Sequence, residues 1–427
     1  AFQVIDRIYR SKNGNKLLSK EKSHTIHYGH ILDNDEIVDE VLISIFKAPK
    51  TFTREDVVEI NCHGGIFVTN RILELVIRRG ARLAEPGEFT KRAYLNGRID
   101  LTQAEAVMDI IESQTNSSLR MASYGLLGET RKVIEEFKNK LLTCIASIEV
   151  NIDYPEYEDE VQVTNEVIKP ILIESIEEMN KILNKAEISR IIKNGLKTAI
   201  IGKPNVGKSS LLNALLREDK AIVTNIAGTT RDIIEGQINI GGIVLNLIDT
   251  AGVRVTEDLV ERIGVERTKA VSKDADLIIL VFDYSSELDQ NDLEILKLTR
   301  DKTRIIVINK RDLDKKINLN KFDDYLLTSS FSTDDINLLE KKIKDICGIS
   351  KVTQIDSTYI GNARQIAKLK IAKSSLESAL QASHDNMPID IINVDINNAW
   401  IALGEILGEV NNDDLLNELF SKFCLGK

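Results

Sequence analysis

Gly202-Lys203-Pro204-Asn205-Val206-Gly207-Lys208-Ser209 has the G-x-x-x-x-G-K-S spacing of a phosphate-binding loop. The apolar run Thr198–Ile201 leads into it, and the helix-like Ser210-Leu211-Leu212-Asn213-Ala214-Leu215-Leu216 leads out, so the motif stands in the strand-loop-helix setting it requires. Its glycines let successive backbone N–H groups turn toward phosphate oxygens, and the helix start adds partial positive charge. Lys208 reaches the outer phosphates and Ser209 offers a hydroxyl to Mg²⁺, with Asn205, Val206, Gly207 and Ser210 completing the cradle. A glycine turn before an ordinary surface helix is the bland alternative, and the motifs downstream weigh against it.

Residues 195–350 alternate short apolar segments with helical ones, as a parallel α/β sheet does. Strands are expected at Thr198–Ile201, Val244–Ile248, Leu277–Phe282, Arg304–Ile308 and Tyr325–Leu327. Most of them end in a polar motif, at the strand ends where open α/β sheets bind ligands. Asp249-Thr250-Ala251-Gly252 is one such ending: Asp249 can hold Mg²⁺ through a water, and the Gly252 N–H can meet a γ-phosphate. Asn309-Lys310-Arg311-Asp312 has the N-K-x-D spacing. The Asp312 carboxylate can accept from guanine N1–H and the 2-amino group, whereas adenine presents an unpaired acceptor at N1, so GTP is expected rather than ATP. Ser329-Ser330-Phe331 falls where a last base-contacting loop should. Each motif alone is weak; all of them in order on strand ends make strong evidence. Val253 follows Gly252 where many GTPases carry a water-orienting glutamine, so another group must place the water and supply charge.

With 427 residues the chain exceeds one ordinary core, and two or three domains are expected. Apolar residues make up 43% and charged ones 29%, with no run near the roughly 20 apolar residues a membrane span needs, so a cytoplasmic protein without membrane contact is expected. Cys62, Cys144, Cys347 and Cys424 are scattered and suggest free thiols in a reducing compartment. A net charge of −10 argues against a surface that grips nucleic acid throughout, so any nucleic acid is held by a local patch or a partner. The sequence begins at Ala1 without an initiator Met, which leaves room for a missing N-terminal piece.

Residues 1–101 read as a small α+β domain, with strands at Ile37–Phe46 and Val57–Ile60 and a helix from Phe67 to Arg79. Cys62-His63-Gly64-Gly65 could suggest a thiol-imidazole pair, but neighbours on an extended strand point to opposite faces, and a strand-to-helix turn is the better reading. The T-x-x-E spacing of Thr102-Gln103-Ala104-Glu105 suggests a capping box opening a helical region, residues 102–194. Within it Asp153–Glu160 reads as a solvated acidic connector. Helical periodicity returns after Ser357, through Ala363–Leu380, Ile391–Leu407 and Leu415–Phe423, and Trp400 reads as a helix core residue. Neither helical half can bury its apolar stripe alone. Residues 102–194 and 351–427 are therefore expected to form one helical domain, split by an inserted Ras-like, doubly wound α/β domain over 195–350.

Thr224-Asn225-Ile226-Ala227-Gly228-Thr229-Thr230-Arg231-Asp232, together with Asn205, resembles the potassium-dependent GTPases. The resemblance implies K⁺ beside the phosphates, held by Asn205, Thr224, Ile226 and Thr229 in place of an arginine finger, with Thr230 joining Ser209 at Mg²⁺. Two further stretches narrow the match. Pro86-Gly87-Glu88-Phe89-Thr90-Lys91-Arg92-Ala93-Tyr94-Leu95-Asn96-Gly97-Arg98-Ile99-Asp100-Leu101 and the ending Phe423-Cys424-Leu425-Gly426-Lys427 resemble signatures of the MnmE (TrmE) family of tRNA modification GTPases, so the resemblance covers essentially the whole chain.

That family implies an N-terminal domain that dimerises and binds folate, a split helical domain and an inserted G domain. It implies a homodimer acting with the flavoprotein MnmG (GidA) on tRNA, placing an aminomethyl-type group on carbon 5 of the wobble uridine, with 5-formyl-tetrahydrofolate or a related folate as one-carbon source. Its folate contacts would fall on Glu59, Arg98 and Lys427, and its hydrolytic acid-base on Glu261; Thr230 is a further catalytic candidate, and Cys424 reads as a functional terminal cysteine, with a buried inert thiol as the alternative. An expected N-terminal strand with a folate-binding arginine is absent, and Arg98 stands where lysine is also found. Read without the family, Glu59 is a strand-end charge and Glu261 a solvated helix residue. Cys424-Leu425-Gly426-Lys427 outlines a prenylation box, but Lys is a poor last residue and no basic run precedes it. The rival reading is a GTPase switch in ribosome or RNA assembly.

Overall fold

A computed structural model describes residues 1–12, 14, 16–153, 165–216, 236–248, 271–347, 360–409, 413–424 and 426. The chain forms two compact units, residues 1–108 with 404–427, and residues 109–403.

The first unit is built on an antiparallel sheet in the order β1-β2-β3-β4, made of Tyr9–Ser11, Thr25–Asp33, Glu36–Phe46 and Val57–Asn61. Two of these strands match the sequence reading; β1 and β2 were not expected from it. The helix α1 (Phe2–Ile5) is short, and α2 (Ile66–Arg78) carries the expected helical stripe. Ile31, Val41, Ile43 and Ile45 on one sheet face close a core with Ile72 and Leu75 of α2, the one-sided burial expected of an antiparallel sheet. Between β4 and α2, Cys62 Sγ lies 3.7 Å from Thr69 Oγ1, whereas His63 Nδ1 lies 2.8 Å from Asp39 Oδ1. Cys62-His63-Gly64-Gly65 is thus the expected strand-to-helix turn, its thiol and imidazole engaged with different partners.

The segment 86–101 supplies α3 (Glu88–Leu95) and the entry to α4 (Leu101–Glu112). Here the expected capping box is displaced by two residues. Asp100 Oδ1 accepts from the Gln103 N–H at 2.9 Å, and Gln103 Oε1 accepts from the Asp100 N–H at 3.1 Å. Thr102 lies inside the helix and donates its hydroxyl to Asp100 at 2.6 Å. A carboxylate competes better than a hydroxyl for the first free N–H groups of a helix, where it also meets the positive end of the dipole.

In the second unit, α5 (Asn116–Leu126), α6 (Glu129–Asp153) and α7 (Asn165–Asn194) precede a six-stranded sheet, and α11 (Ala363–His384) and α12 (Ile389–Leu407) follow it, with α7 packed along α11. Trp400 lies half-buried on α12, with Lys138 Nζ 4.7 Å from its ring centre. The sheet order is β10-β9-β8-β5-β7-β6, from Leu326–Leu327, Arg304–Asn309, Leu277–Asp283, Leu196–Ile201, Ile243–Leu247 and Gln237–Ile240. Five strands run parallel and β6 pairs antiparallel with β7, which the sequence reading did not anticipate. Leu277, Ile279 and Val281 of β8 enter a core with α8 (Lys208–Leu215) and α10 (Thr333–Ile346). Ile278, Leu280 and Phe282 enter the opposite core with α9 (Gln290–Leu298). A central strand buried on both faces by helices is the doubly wound arrangement. It brings the ends of β5, β8 and β9 to one edge.

Candidate nucleotide site

The loop after β5 enters α8 through Gly207, whose φ of +93° a side chain tolerates poorly. A Cβ on Gly207 would also overlap Asn309 Nδ2, and one on Gly202 would overlap the Val281 carbonyl of β8. These two glycines therefore admit the close approach of the ends of β8 and β9. Asn205 also adopts the left-handed region, at φ +65°, where Asn is among the better tolerated side chains.

Lys208 Nζ donates to the carbonyls of Gly202 at 2.7 Å and Lys203 at 2.5 Å. An ammonium has three N–H donors, so two hold the loop and one remains for an anion. Burial pushes its pKa down, an unfavourable setting for a lone cation that a phosphate partner relieves. Ser209 and Ser210 follow in the exposed first turn of α8.

The segment after β9 is tied directly to this loop. Asn309 Nδ2 donates to the Val206 carbonyl at 3.2 Å, and Asn309 Oδ1 accepts from Ser330 Oγ at 3.1 Å. Lys310, at φ +64°, donates to the Asn205 carbonyl at 2.6 Å. Arg311 Nε pairs with Asp335 Oδ2 at 2.8 Å, and the same buried carboxylate accepts from the Ser329 N–H at 2.8 Å. Asp312 is exposed, and Phe331 is 90% exposed. The structure thus joins 205–210, 309–312 and 329–331 at one edge of the sheet. Thr224, Asn225, Ile226, Ala227, Gly228, Thr229, Thr230, Asp249, Thr250, Ala251, Gly252, Val253 and Glu261 lie outside the described residues.

Two supports of this edge escaped sequence reading. Asp283, at the end of β8, accepts from Lys310 Nζ at 2.6 Å. Lys203 is held by Asp289 at 2.6 Å and Asp292 at 2.5 Å, at the start of α9. The strand-end position of Asp283 was the available signal; Asp289 and Asp292 look like ordinary helix caps in sequence.

In the first unit, Glu59 stands exposed on β4, and Arg98 is exposed with its guanidinium 4.7 Å from the Phe52 ring centre. Lys427 lies outside the described residues. Cys424 is exposed, and its carbonyl accepts from the Gly87 N–H at 3.3 Å. Gly87 has φ +66°, and a Cβ there would come within 2.8 Å of Phe423 Cβ. Tyr94 donates its hydroxyl to the Gly408 carbonyl at 2.6 Å, and Leu101 and Ala104 share a core with Leu416, Phe420 and Phe423. The 86–101 segment is therefore packed against the C-terminal helix α13 (Asp413–Ser421). Glu88, 9% exposed, binds Arg82 and Arg92 and is pushed down to about 2, first by the Arg82 hydrogen bond.

No helix among the described residues is long and apolar enough to cross a membrane. The chain matches two families, the GTP-binding protein TrmE N-terminus over residues 1–98 and the MnmE helical domain over 101–424. Among curated proteins it is 49% identical to the tRNA modification GTPase MnmE of Enterococcus faecalis, covering 100% of this chain and 93% of that one. The protein of the same name from Bacillus subtilis is 47% identical, covering 100% and 95%. That from Acholeplasma laidlawii is 49% identical, covering 100% and 94%. The G domain of the T. maritima FeoB iron transporter is 29% identical over 35% of this chain and 98% of its own, at a TM-score of 0.26, too low to bear on the fold. A phosphate loop stitched to an N-K-R-D segment, an 86–101 signature packed on the chain's end, and relatives matched over its whole length place this chain in the MnmE family of tRNA modification GTPases.

Proposed function

We propose that this chain hydrolyses GTP and that the hydrolysis serves the modification of tRNA. The observation that carries the reading is the pair of bonds from Asn309 and Lys310 to the carbonyls of Val206 and Asn205. They tie the segment that carries Asp312 to the loop that carries Lys208, which supports a site spanning the base and the phosphates of one nucleotide. Lys208 neutralises the outer phosphates, backbone N–H groups around Gly207 meet their oxygens, and Asp312 selects guanine.

The donor chemistry suits two cations. Ser209, with Thr230, offers the hard hydroxyl oxygens Mg²⁺ prefers, and the exposed amide of Asn205, whose backbone carbonyl Lys310 already engages, offers one to K⁺. When bound, these ions supply positive charge against that developing on the phosphates. K⁺ at Asn205, Thr224, Ile226 and Thr229, and Glu261 as the acid-base that compensates for Val253, are part of the proposal. So are a folate site at Glu59, Arg98 and Lys427, a homodimer, a flavin-dependent MnmG-type partner, and Cys424 as a reactive thiol.

The test pairs GTP turnover in K⁺ and in Na⁺ with nucleoside analysis of tRNA from cells lacking the gene. Faster turnover in K⁺ and loss of the carbon-5 group from wobble uridine are expected. Equal turnover in both salts would remove the K⁺ assignment, and an unchanged wobble uridine would remove the tRNA role. The packing of Gly87 on Phe423 gives the rival assembly switch a structural reason to keep the 86–101 segment and the tail, so the tRNA measurement decides between the two.

A further inference from the structure

We propose that Asp283 is a positioning residue for guanine nucleotide, acting through Lys310 rather than on the nucleotide itself; this rests on the GTP reading above. The residue ends β8 directly beside Asn309, its register partner on β9. Its side chain is 11% exposed and divides its two oxygens. Oδ1 accepts from the Ser285 N–H at 2.8 Å and the Ser285 hydroxyl at 2.6 Å, which fixes the carboxylate plane. Oδ2 accepts from Lys310 Nζ at 2.6 Å.

That ammonium also donates to the Asn205 carbonyl at 2.6 Å, so one cation spans the end of β8 and the phosphate loop. The Lys310 backbone is in the left-handed region at φ +64°. A lysine stays there only where its surroundings over-determine it, and the carboxylate of Asp283 is the charged part of those surroundings. Asp312 follows two residues later, and the Leu313 N–H donates to the Lys310 carbonyl at 3.0 Å, closing a turn around the base-reading carboxylate. Removing the negative charge from Asp283 releases the lysine, and with it the Asn205 carbonyl and one of the two ties between the Asp312 segment and the loop, leaving only the Asn309 bond to Val206. Lys208 and its two carbonyl partners are untouched by this change.

The experiment measures release of N-methylanthraniloyl-GDP from the full chain after a chase with excess GDP. Asp283→Asn keeps an acceptor for Ser285 but turns an amide toward the ammonium. A hydrogen bond to a charged group is lost, and release should quicken about 10-fold or more. Lys310→Met should quicken it comparably, and the double variant should be no faster than the faster single one, because both remove one bridge. Ser285→Ala, which keeps the Ser285 N–H on Oδ1 and the Lys310 ammonium on Oδ2, should quicken release far less than Asp283→Asn. An unchanged rate in Asp283→Asn, multiplied effects in the double variant, or an equal effect of Ser285→Ala would each overturn the proposal. Should Asp283→Asn fail to fold, Lys310→Met carries the test, and a wild-type rate there overturns the bridge. A wild-type chain that binds no labelled GDP would instead refute the nucleotide reading itself.

Discussion

Glu88→Gln should weaken the first unit by an amount that depends on pH in one direction only. Glu88 Oε1 takes Arg82 Nη2 at 2.5 Å and Arg92 Nη2 at 2.6 Å, and Oε2 takes the Glu85 N–H at 2.8 Å. The carboxyl is held at about 2 against an ordinary 4.5, a gap worth about 3 kcal/mol at neutral pH. Arg82 is 62% exposed, so water screens its share, and we take about 2 kcal/mol as the effect of removing the charge. A carboxyl whose pKa falls on folding stabilises above its unfolded pKa, and that contribution fades as pH falls from 4.5 toward 2. Hydrogen exchange of α3 amides reads the effect locally, whereas fluorescence of Trp400 reports on the other unit. At pH 7 the Gln variant should exchange about 30-fold faster than wild type after correction for intrinsic rates. The difference should shrink below pH 4.5 and nearly vanish by pH 2. A difference that is the same at pH 7 and pH 3 would show that Glu88 acts through shape, not charge.

Three further outcomes follow from glycines and the base reader. Gly87→Ala places a Cβ 2.8 Å from Phe423 Cβ and 2.9 Å from the Phe420 carbonyl at φ +66°; it should cost about 2 to 4 kcal/mol and expose α13 to limited proteolysis, and an unaltered cleavage pattern would refute the packing. Gly207→Ala should abolish binding of both GDP and GTP in a titration, because the new Cβ overlaps Asn309 Nδ2 at φ +93°; retained affinity would sink the reading of this loop. Asp312→Asn should shift preference from guanine toward xanthine nucleotides in competition binding, by about 10²-fold or more, and continued preference for GTP would exclude Asp312 as base reader.

The parts legible in the sequence are those where one periodicity and one chemistry coincide. The phosphate loop follows an apolar strand and starts a helix, so neighbours in sequence carry the whole signal, and β8 and β9 are apolar because both faces are buried. Strand β2 was hidden because its alternation is inverted: Ile26 is 67% and Tyr28 42% exposed, while Gly29 lies buried on the core side. A register shift between Ile31 and Leu32 breaks the pattern again. Strand β6 has four residues, but its turn was a usable sign, since Gly241 and Gly242, both at positive φ, join Ile240 to Ile243 as a two-residue hairpin does. The T-x-x-E spacing points to Thr102 for the capping box, because spacing alone does not rank Asp100 above it. Asp283, Asp335 and Glu88 could not be assigned partners, because Lys310, Arg311 and Arg82 reach them through folding rather than through a motif.

The contact between Gly87 and Phe423 also sets an order of events during synthesis. Leu101 and Ala104 are buried by Leu416, Phe420 and Phe423, yet the 295 residues 109–403 separate 108 from 404, the two borders of the first unit. At roughly 5 to 20 residues per second a ribosome takes about 15 to 60 s over that interval. Throughout it the nascent chain carries an apolar patch around Leu101 that waits for its cover, while the sheet of the second unit can already close. A chaperone that recognises exposed apolar segments has its longest opportunity here, and a chain released before residue 413 would present the same patch to quality-control proteases.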